Sequence, residues 1–284
     1  MTILNVLISN QIRSKVASDQ SRGEFFAGLF ALGCISGLAS RVLQSANKLG
    51  WTHAFFDTFE VSILVWISCA AGVYLVLQDR TIGVRPFELA IGAVFAFLVI
   101  LPIGALSWLA VTALGFYVII FSEDPSARRG AFILVATTVP VLWSRLLFQF
   151  FADLILRIDA SLVGWLLNTP RTGDIVGFAD GSGVLVILPG CSSLANMSLA
   201  FLCWVTVSRL IDHKRSVYDL LWCLLACASV IAVNVIRMSV MGLSQWHYET
   251  FHSELGAAVT NTVIMGLILS CCLLGVRREF FQRI

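Results

Sequence analysis

Charge is scarce in this sequence. Asp, Glu, Lys and Arg make up only 13% of its 284 residues, while 58% are hydrophobic and the mean hydropathy is +0.88. A soluble domain carries about 25% charged and about 45–50% apolar residues. The deficit runs along the whole chain and points to lipid as the solvent. The length would suit one or two soluble domains, but no polar stretch is long enough to be one. A net charge of +2 gives no general attraction to nucleic acid. The start of the chain does not read as a cleavable signal peptide. Asn5, Ser9, Asn10 and Gln11 break it, and Arg13 and Lys15 follow the apolar run instead of preceding it. The first long apolar stretch is therefore expected to act as an uncleaved signal anchor, and Ile3–Ile8 as a short interfacial helix. No CxxC and no Cys/His spacing of a zinc site is present, so neither a metal nor another cofactor is expected. Seven of the eight cysteines (Cys34, Cys69, Cys203, Cys223, Cys227, Cys271 and Cys272) fall inside apolar runs, where cysteine behaves as a small hydrophobe. Only Cys191 stands at a polar boundary.

Apolar runs are what the sequence has in abundance. A spanning helix needs about 20 largely apolar residues. That window gives Glu24–Ser40, Val61–Leu77, Phe87–Leu101, Leu106–Phe121, Gly130–Phe151, Ser192–Leu210, Val217–Leu243 and Gly256–Val276. The expected fold is an all-α polytopic membrane protein of about eight spans. Leu101-Pro102-Ile103-Gly104 reads as a tight turn, although Phe87–Phe121 can also be read as one kinked helix plus a re-entrant piece. With the N-terminus inside, inner segments and span ends hold 13 of the 19 basic residues, from Arg13 and Lys15 through Lys214 and Arg215 to Arg283. Outer segments hold Arg41, Lys48, Arg157 and Arg171, while Arg145 and Arg237 lie within spans. This asymmetry follows the positive-inside rule and puts both termini in the cytoplasm.

The polar chemistry then collects on the outer side. Ala152–Leu167 has apolar residues at helical spacing (Leu154, Ile155, Leu162, Val163, Leu166) and reads as an interfacial amphipathic helix. Ile175-Val176 and Val184–Leu188 flank Asp180-Gly181, which predicts a small β-hairpin. The chain next passes Leu188-Pro189-Gly190-Cys191-Ser192-Ser193, where Ser192 or Ser193 can cap the following helix. Cys191 thus stands at a helix N-terminus, whose unpaired N–H groups and positive dipole end favour a thiolate. Cys191 as one more small residue is the plainer alternative. Arg237 is a charge in an otherwise apolar helix, about 30 Å above its inner end, and Asn234 lies three residues earlier on the same face. Snorkelling to the outer headgroups is the alternative for Arg237. His247 and His252 occupy the outer loop that follows, and a histidine there can serve as base or acid. His53, near Trp51 and Asp57, reads as an interfacial anchor, and His213 as an inner-loop residue. Arg145, near the outer end of the fifth span, is open to substrate contact, pairing with Asp153 or snorkelling.

The order G-C-S-S at Gly190–Ser193, N-V-I-R at Asn234–Arg237 and H-S-E-L-G at His252–Gly256 resembles the exosortase/archaeosortase family of polytopic membrane cysteine transpeptidase-like enzymes. The resemblance covers roughly residues 125–276. It divides the chain into an N-terminal four-span region, 1–124, and a catalytic region, 125–284. By resemblance Cys191 is the nucleophile, Arg237 the arginine of an Asn-x-x-Arg motif, and His252 the histidine followed four residues later by glycine, Gly256. Asn234 and Ser192 support them, and Arg145 and Arg171 are candidate substrate contacts. Ser193 departs from the family pattern, which usually has glycine there. The resemblance implies exported proteins as substrates, recognised by a C-terminal sorting signal of a short motif, a transmembrane helix and a basic tail. Cleavage would precede transfer to a lipid or polysaccharide acceptor of the envelope, at the outer face of the inner membrane. A thiol, a guanidinium and an imidazole in one layer suit acyl chemistry, which needs a nucleophile, a base and an oxyanion donor. Two other classes stay open: a transporter with Arg237 and Arg145 on an anion path, and a non-enzymatic component of exopolysaccharide assembly.

Overall fold

The structure is a computed structural model that describes residues 21–101, 103–213 and 216–282. The Ile3–Ile8 helix, Arg13, Lys15, Pro102 of the predicted turn, Lys214, Arg215 and Arg283 lie outside the described residues. The described chain is mostly helical, with one small sheet. Six helical runs are long and apolar enough to cross a membrane: Arg22–Leu49, Gly104–Phe121, Pro125–Leu167, Pro189–Leu210, Val217–Met241 and Leu255–Arg277. Two shorter apolar helices are Ile63–Leu77 and Pro86–Ile100. The chain is thus a helical membrane protein. Phe87–Phe121 resolves into two helices, which part at Leu101–Ile103.

By internal packing the chain forms two compact units, Met1–Thr138 and Val139–Ile284. The boundary read from the sequence lies 14 residues earlier, because helix Pro125–Thr138 packs into the first unit.

The described part of the first unit runs α1 (Arg22–Leu49), α2 (Trp51–Phe56), a 3-10 turn (Thr58–Glu60), α3 (Ile63–Leu77), α4 (Pro86–Ile100), α5 (Gly104–Phe121) and α6 (Pro125–Thr138). Ser21 caps α1 through a capping box with Glu24, and Pro86 opens α4 at a position where no N–H is needed. Inside this unit Arg22 donates to Glu88 Oε1 through Nε at 2.9 Å and Nη2 at 2.5 Å, and Tyr117 adds its hydroxyl at 3.1 Å. The Arg85 N–H satisfies the other oxygen at 3.0 Å. A buried carboxylate is tolerable here because it is both paired and fully hydrogen-bonded. Small residues let the helices close. A Cβ on Gly130 of α6 would stand 2.5 Å from the Gly72 carbonyl of α3.

The second unit opens on a π-turn, Val139–Trp143, where Pro140 deprives the helix of a donor. It continues through α7 (Ser144–Leu167), β1 (Arg171–Thr172), β2 (Ile175–Gly177), β3 (Val184–Val186), a 3-10 turn (Pro189–Cys191), α8 (Ser193–Leu210), α9 (Val217–Met241), α10 (Gln245–His252) and α11 (Glu254–Gln282). The break expected before Ala152 is a local one. Helix α7 runs through it, with only Phe151 leaving helical geometry at φ −125° and ψ 23°. Its buried stripe is Leu156, Asp159, Ala160, Val163 and Gly164, whereas Leu154, Leu162 and Leu166 are exposed on another face. The predicted hairpin forms in the register Ile175–Val186, Val176–Leu185 and Gly177–Val184. Its turn is longer than a two-residue one, closing with the Phe178 N–H on the Gly183 carbonyl at 2.9 Å. A third strand, β1, adds to β2, so the sheet has the order β1-β2-β3. Val176, Leu185 and Ile187 turn inward onto Leu156, Ala160 and Val163 of α7 and Val235 and Met238 of α9.

The same substitution should act oppositely at two glycines of the first unit. Gly130→Ala forces a methyl into the Gly72 backbone and should lower stability by about 1–3 kcal/mol. Gly28→Ala, whose added Cβ meets nothing within 4 Å, should hold or raise it. Thermal unfolding midpoints of the detergent-solubilised protein measure both, and equal midpoints would remove the close-packing argument.

Candidate functional site

The site is built around a turn. Leu188 leaves β3 extended, Pro189 fixes the next φ, and Gly190 and Cys191 complete one 3-10 turn. The Cys191 N–H donates to Leu188 O at 2.9 Å and the Ser192 N–H to Pro189 O at 3.2 Å. Ser192 is the N-cap of α8, its hydroxyl accepting from the Leu194 N–H at 3.3 Å. Cys191 therefore sits half-buried in the turn just before the helix.

An anion does occupy the start of α8, but it is a carboxylate. Asp159 of α7, 4% exposed, accepts from the Ser193 N–H at 3.2 Å and the Ser193 hydroxyl at 3.0 Å. With the Ser192 hydroxyl accepting from Leu194 and Asp159 from Ser193, two of the free donors at the start of the helix are used.

Asn234 of α9 supplies the next link. Its amide nitrogen donates to the Cys191 carbonyl at 2.7 Å and to Ser193 Oγ at 3.0 Å. One helical turn further, Arg237 donates from Nη2 to the Phe251 carbonyl at 3.3 Å. Its Nε is buried with no partner among the described residues. A buried guanidinium N–H without an acceptor is costly, and an incoming oxyanion would relieve it. The Phe251 backbone is reachable because Gly256 lies beneath it. A Cβ at Gly256 would stand 2.7 Å from Phe251 O and 2.8 Å from its C and Cα.

His252 closes α10 and is exposed, its ring stacked on Tyr248 at 5.0 Å and 11°. Tyr248 in turn meets Phe178 of the hairpin loop at 6.4 Å, and Tyr248 and Cys191 pack against the same buried cluster. His247 is already committed, its Nδ1 2.8 Å from the Ser244 hydroxyl at the helix cap. His252, by contrast, has no hydrogen bond from its ring nitrogens among the described residues. Among the described residues, no hydrogen bond joins the Cys191 sulfur to Arg237 or His252.

Beside the turn lies an open cavity of about 350 Å³, with Ser144, Arg145, Phe148, Gln149, Pro189 and Ser192 in its walls. Arg145 makes no ion pair with Asp153 or any other described residue, and it is exposed. A guanidinium and an amide next to the cysteine turn form a polar seat. Arg171 is differently placed, its Nη1 reaching the carbonyls of Arg157 at 3.2 Å and Gly173 at 3.4 Å and so tying β1 to α7. His213 pairs with Asp219 at 2.8 Å, and His53 lies in the short helix α2. No group of three or more His, Cys, Asp or Glu suited to a metal ion occurs among the described residues.

Asp159 is the site residue that sequence reasoning missed. The signal was present, because Asp159 interrupts the apolar stripe Leu156, Ala160, Val163 at helical spacing, where a carboxylate must have a partner. Compared with known proteins, the chain matches no family model, no curated protein and no solved structure.

Asn234→Leu keeps the approximate size of the side chain while leaving the Cys191 carbonyl and the Ser193 hydroxyl without their shared donor. It should lower stability by about 1–3 kcal/mol, while Ile236→Leu on the exposed face of α9 should not. Thermal unfolding in detergent compares them. Equal midpoints would mean that the two bonds carry no net stability.

Proposed function

We propose that this chain is a membrane cysteine peptidase or transpeptidase that resembles the exosortase/archaeosortase enzymes. It cleaves exported proteins at a C-terminal sorting signal, a short motif followed by a transmembrane helix. The observation that carries the reading is the convergence of three separate short motifs. Asn234 bonds the Cys191 carbonyl 43 residues away, and Arg237, one turn on, bonds the carbonyl of Phe251, which precedes His252. These two bonds link the segments that carry one thiol, one guanidinium and one imidazole.

In the reaction the Cys191 sulfur attacks the scissile carbonyl. A C–S bond forms, and the oxyanion takes the unpartnered N–H of Arg237. His252 receives the thiol proton and returns it to the leaving amine as the C–N bond breaks. The tail helix departs, leaving a thioester on Cys191. Water, or an amine on a lipid or polysaccharide acceptor, then attacks that thioester, with His252 taking its proton and giving it to the departing sulfur. Arg145 and Gln149 seat a polar part of the substrate beside the turn. None of these steps needs a cofactor.

The topology that suits this chemistry has eight spans in an inner membrane, with both termini cytoplasmic and Cys191 at the outer face. Basic residues concentrate on the inner segments, which supports that orientation. The two 15-residue helices α3 and α4 are about 22 Å long, and local thinning or flanking residues accommodate the shortfall. The exposed Leu154, Ile158, Leu162 and Trp165 of α7 would meet lipid at the outer boundary.

A tagged substrate processed in cells tests the chemistry. Cys191→Ala should leave it full length, and Arg237→Ala and His252→Ala should slow processing by roughly 100-fold or more at equal membrane abundance. Normal processing by Cys191→Ala would end the cysteine mechanism. Orientation is a separate measurement. Alkaline phosphatase fused after Ser182 or Gln245 should be active, and after Arg80 or Arg128 inactive; the reverse pattern would put the thiol on the wrong side.

A further inference from the structure

An acidic side chain is an odd choice for position 159. Its neighbours on the buried stripe of α7 are Leu156, Ala160 and Val163, and an apolar residue would complete that face. Among the described residues no Lys, Arg or His pairs with Asp159. A carboxylate buried without a counter-charge is expensive to retain, so its contacts should show what it does. Both of its oxygens are spent on one residue, Ser193, which stands two positions after Cys191.

The direction of the hydrogen bonds follows from that choice. The Ser193 hydroxyl donates to Asp159 Oδ1 at 3.0 Å, as its N–H does to Oδ2. The Ser193 oxygen is then left with lone pairs alone, and it accepts from the Asn234 amide nitrogen at 3.0 Å. That orients the Asn234 side chain with its nitrogen inward, where its other hydrogen reaches the Cys191 carbonyl at 2.7 Å. Each bond polarises the next. The carboxylate thus sets the polarity of a relay that runs from α7 through α8 to α9 and ends on the backbone of the nucleophile. A neutral amide at position 159 would break the sequence, since its NH2 group would face one of the two Ser193 donors that separate carboxylate oxygens now accept.

We infer that Asp159 is a positioning residue for Cys191, acting through Ser193 and Asn234 to hold the cysteine turn in its reactive geometry. The inference deepens the proposed cysteine chemistry and rests on it for its meaning, but not for its test. Misplacing a reacting group by about 1 Å can cost on the order of 100-fold in rate.

The experiment compares wild type, Asp159→Asn, Ser193→Ala and Cys191→Ala in native membranes. Two quantities are read: processing of the tagged substrate, and the rate at which iodoacetamide alkylates each cysteine, followed by peptide mass spectrometry. The buried Cys203 and Cys272 report whether the fold is intact. Asp159→Asn should slow processing by about tenfold or more at unchanged abundance. Alkylation of Cys191 should rise severalfold as the turn loosens, while Cys203 and Cys272 stay protected. Wild-type rates for both processing and Cys191 alkylation would overturn the assignment. So would loss of protection at Cys203 and Cys272, which marks Asp159 as a general packing residue. If Asp159→Asn does not accumulate, Ser193→Ala, which removes the middle of the relay, decides by the same criteria. The Cys191→Ala arm tests the chemistry separately: normal processing there sinks the cysteine mechanism, while Cys191 alkylation in Asp159→Asn still reports on positioning.

Discussion

A carboxylate with almost no access to water must find donors, and in the second unit everything around the cysteine is arranged by how Asp159 finds them. Its two oxygens take the N–H and the hydroxyl of Ser193, which places the start of α8 against α7. Asn234 takes up the same hydroxyl from the other side and adds the Cys191 carbonyl, which brings α9 to the same point. Three successive helices therefore meet on a few polar atoms. In lipid, where apolar contact gives helices little preference for one another, such bonds carry much of the specificity of packing.

The sheet and the α10 loop complete the surroundings. Val176, Leu185 and Ile187 cover the same faces of α7 and α9 that present Asp159 and Asn234, so the polar relay lies beneath an apolar lid. The Ala179 N–H donates to the Gly242 carbonyl at 2.9 Å and ties the hairpin loop to the end of α9. Gly256 lets the backbone of α11 approach Phe251 closely, and the carbonyl of Phe251 accepts from Arg237. The glycine four residues after His252 thus has a steric reason to be glycine, apart from any chemistry.

Much of this was legible from residue types. Apolar runs located the helices Ile63–Leu77, Pro86–Ile100, Gly104–Phe121, Ser193–Leu210 and Val217–Met241 to within about two residues, because backbone groups in lipid must be satisfied within the segment itself. The helix from Arg22, however, runs on to Leu49 and that after Pro125 to Leu167, well past the apolar windows. Pro189 and Gly190 announced the turn before α8, and the alternation about Asp180-Gly181 announced the hairpin. Strand β1 was not legible, since two residues carry no periodicity and its pairing depends on the exposed guanidinium of Arg171 reaching the α7 carbonyl of Arg157. The role of Asp159 was missed for a related reason. Its sequence neighbours describe an amphipathic helix, and its partner is 34 residues away.

Solvent, helices and the polar character of the connections around Cys191 were determined by the sequence alone, because hydropathy and spacing are local quantities. Which anion occupies the start of α8 was decided only in three dimensions. The positive end of a helix attracts negative charge without choosing among candidates, and both Cys191 and Asp159 qualify by type. Packing chose Asp159, since α7 delivers its carboxylate to the Ser193 donors, while Cys191 stands in the 3-10 turn just before the helix. Arg237 is then the remaining buried cation donor without an acceptor in this layer among the described residues, a fact written in no motif.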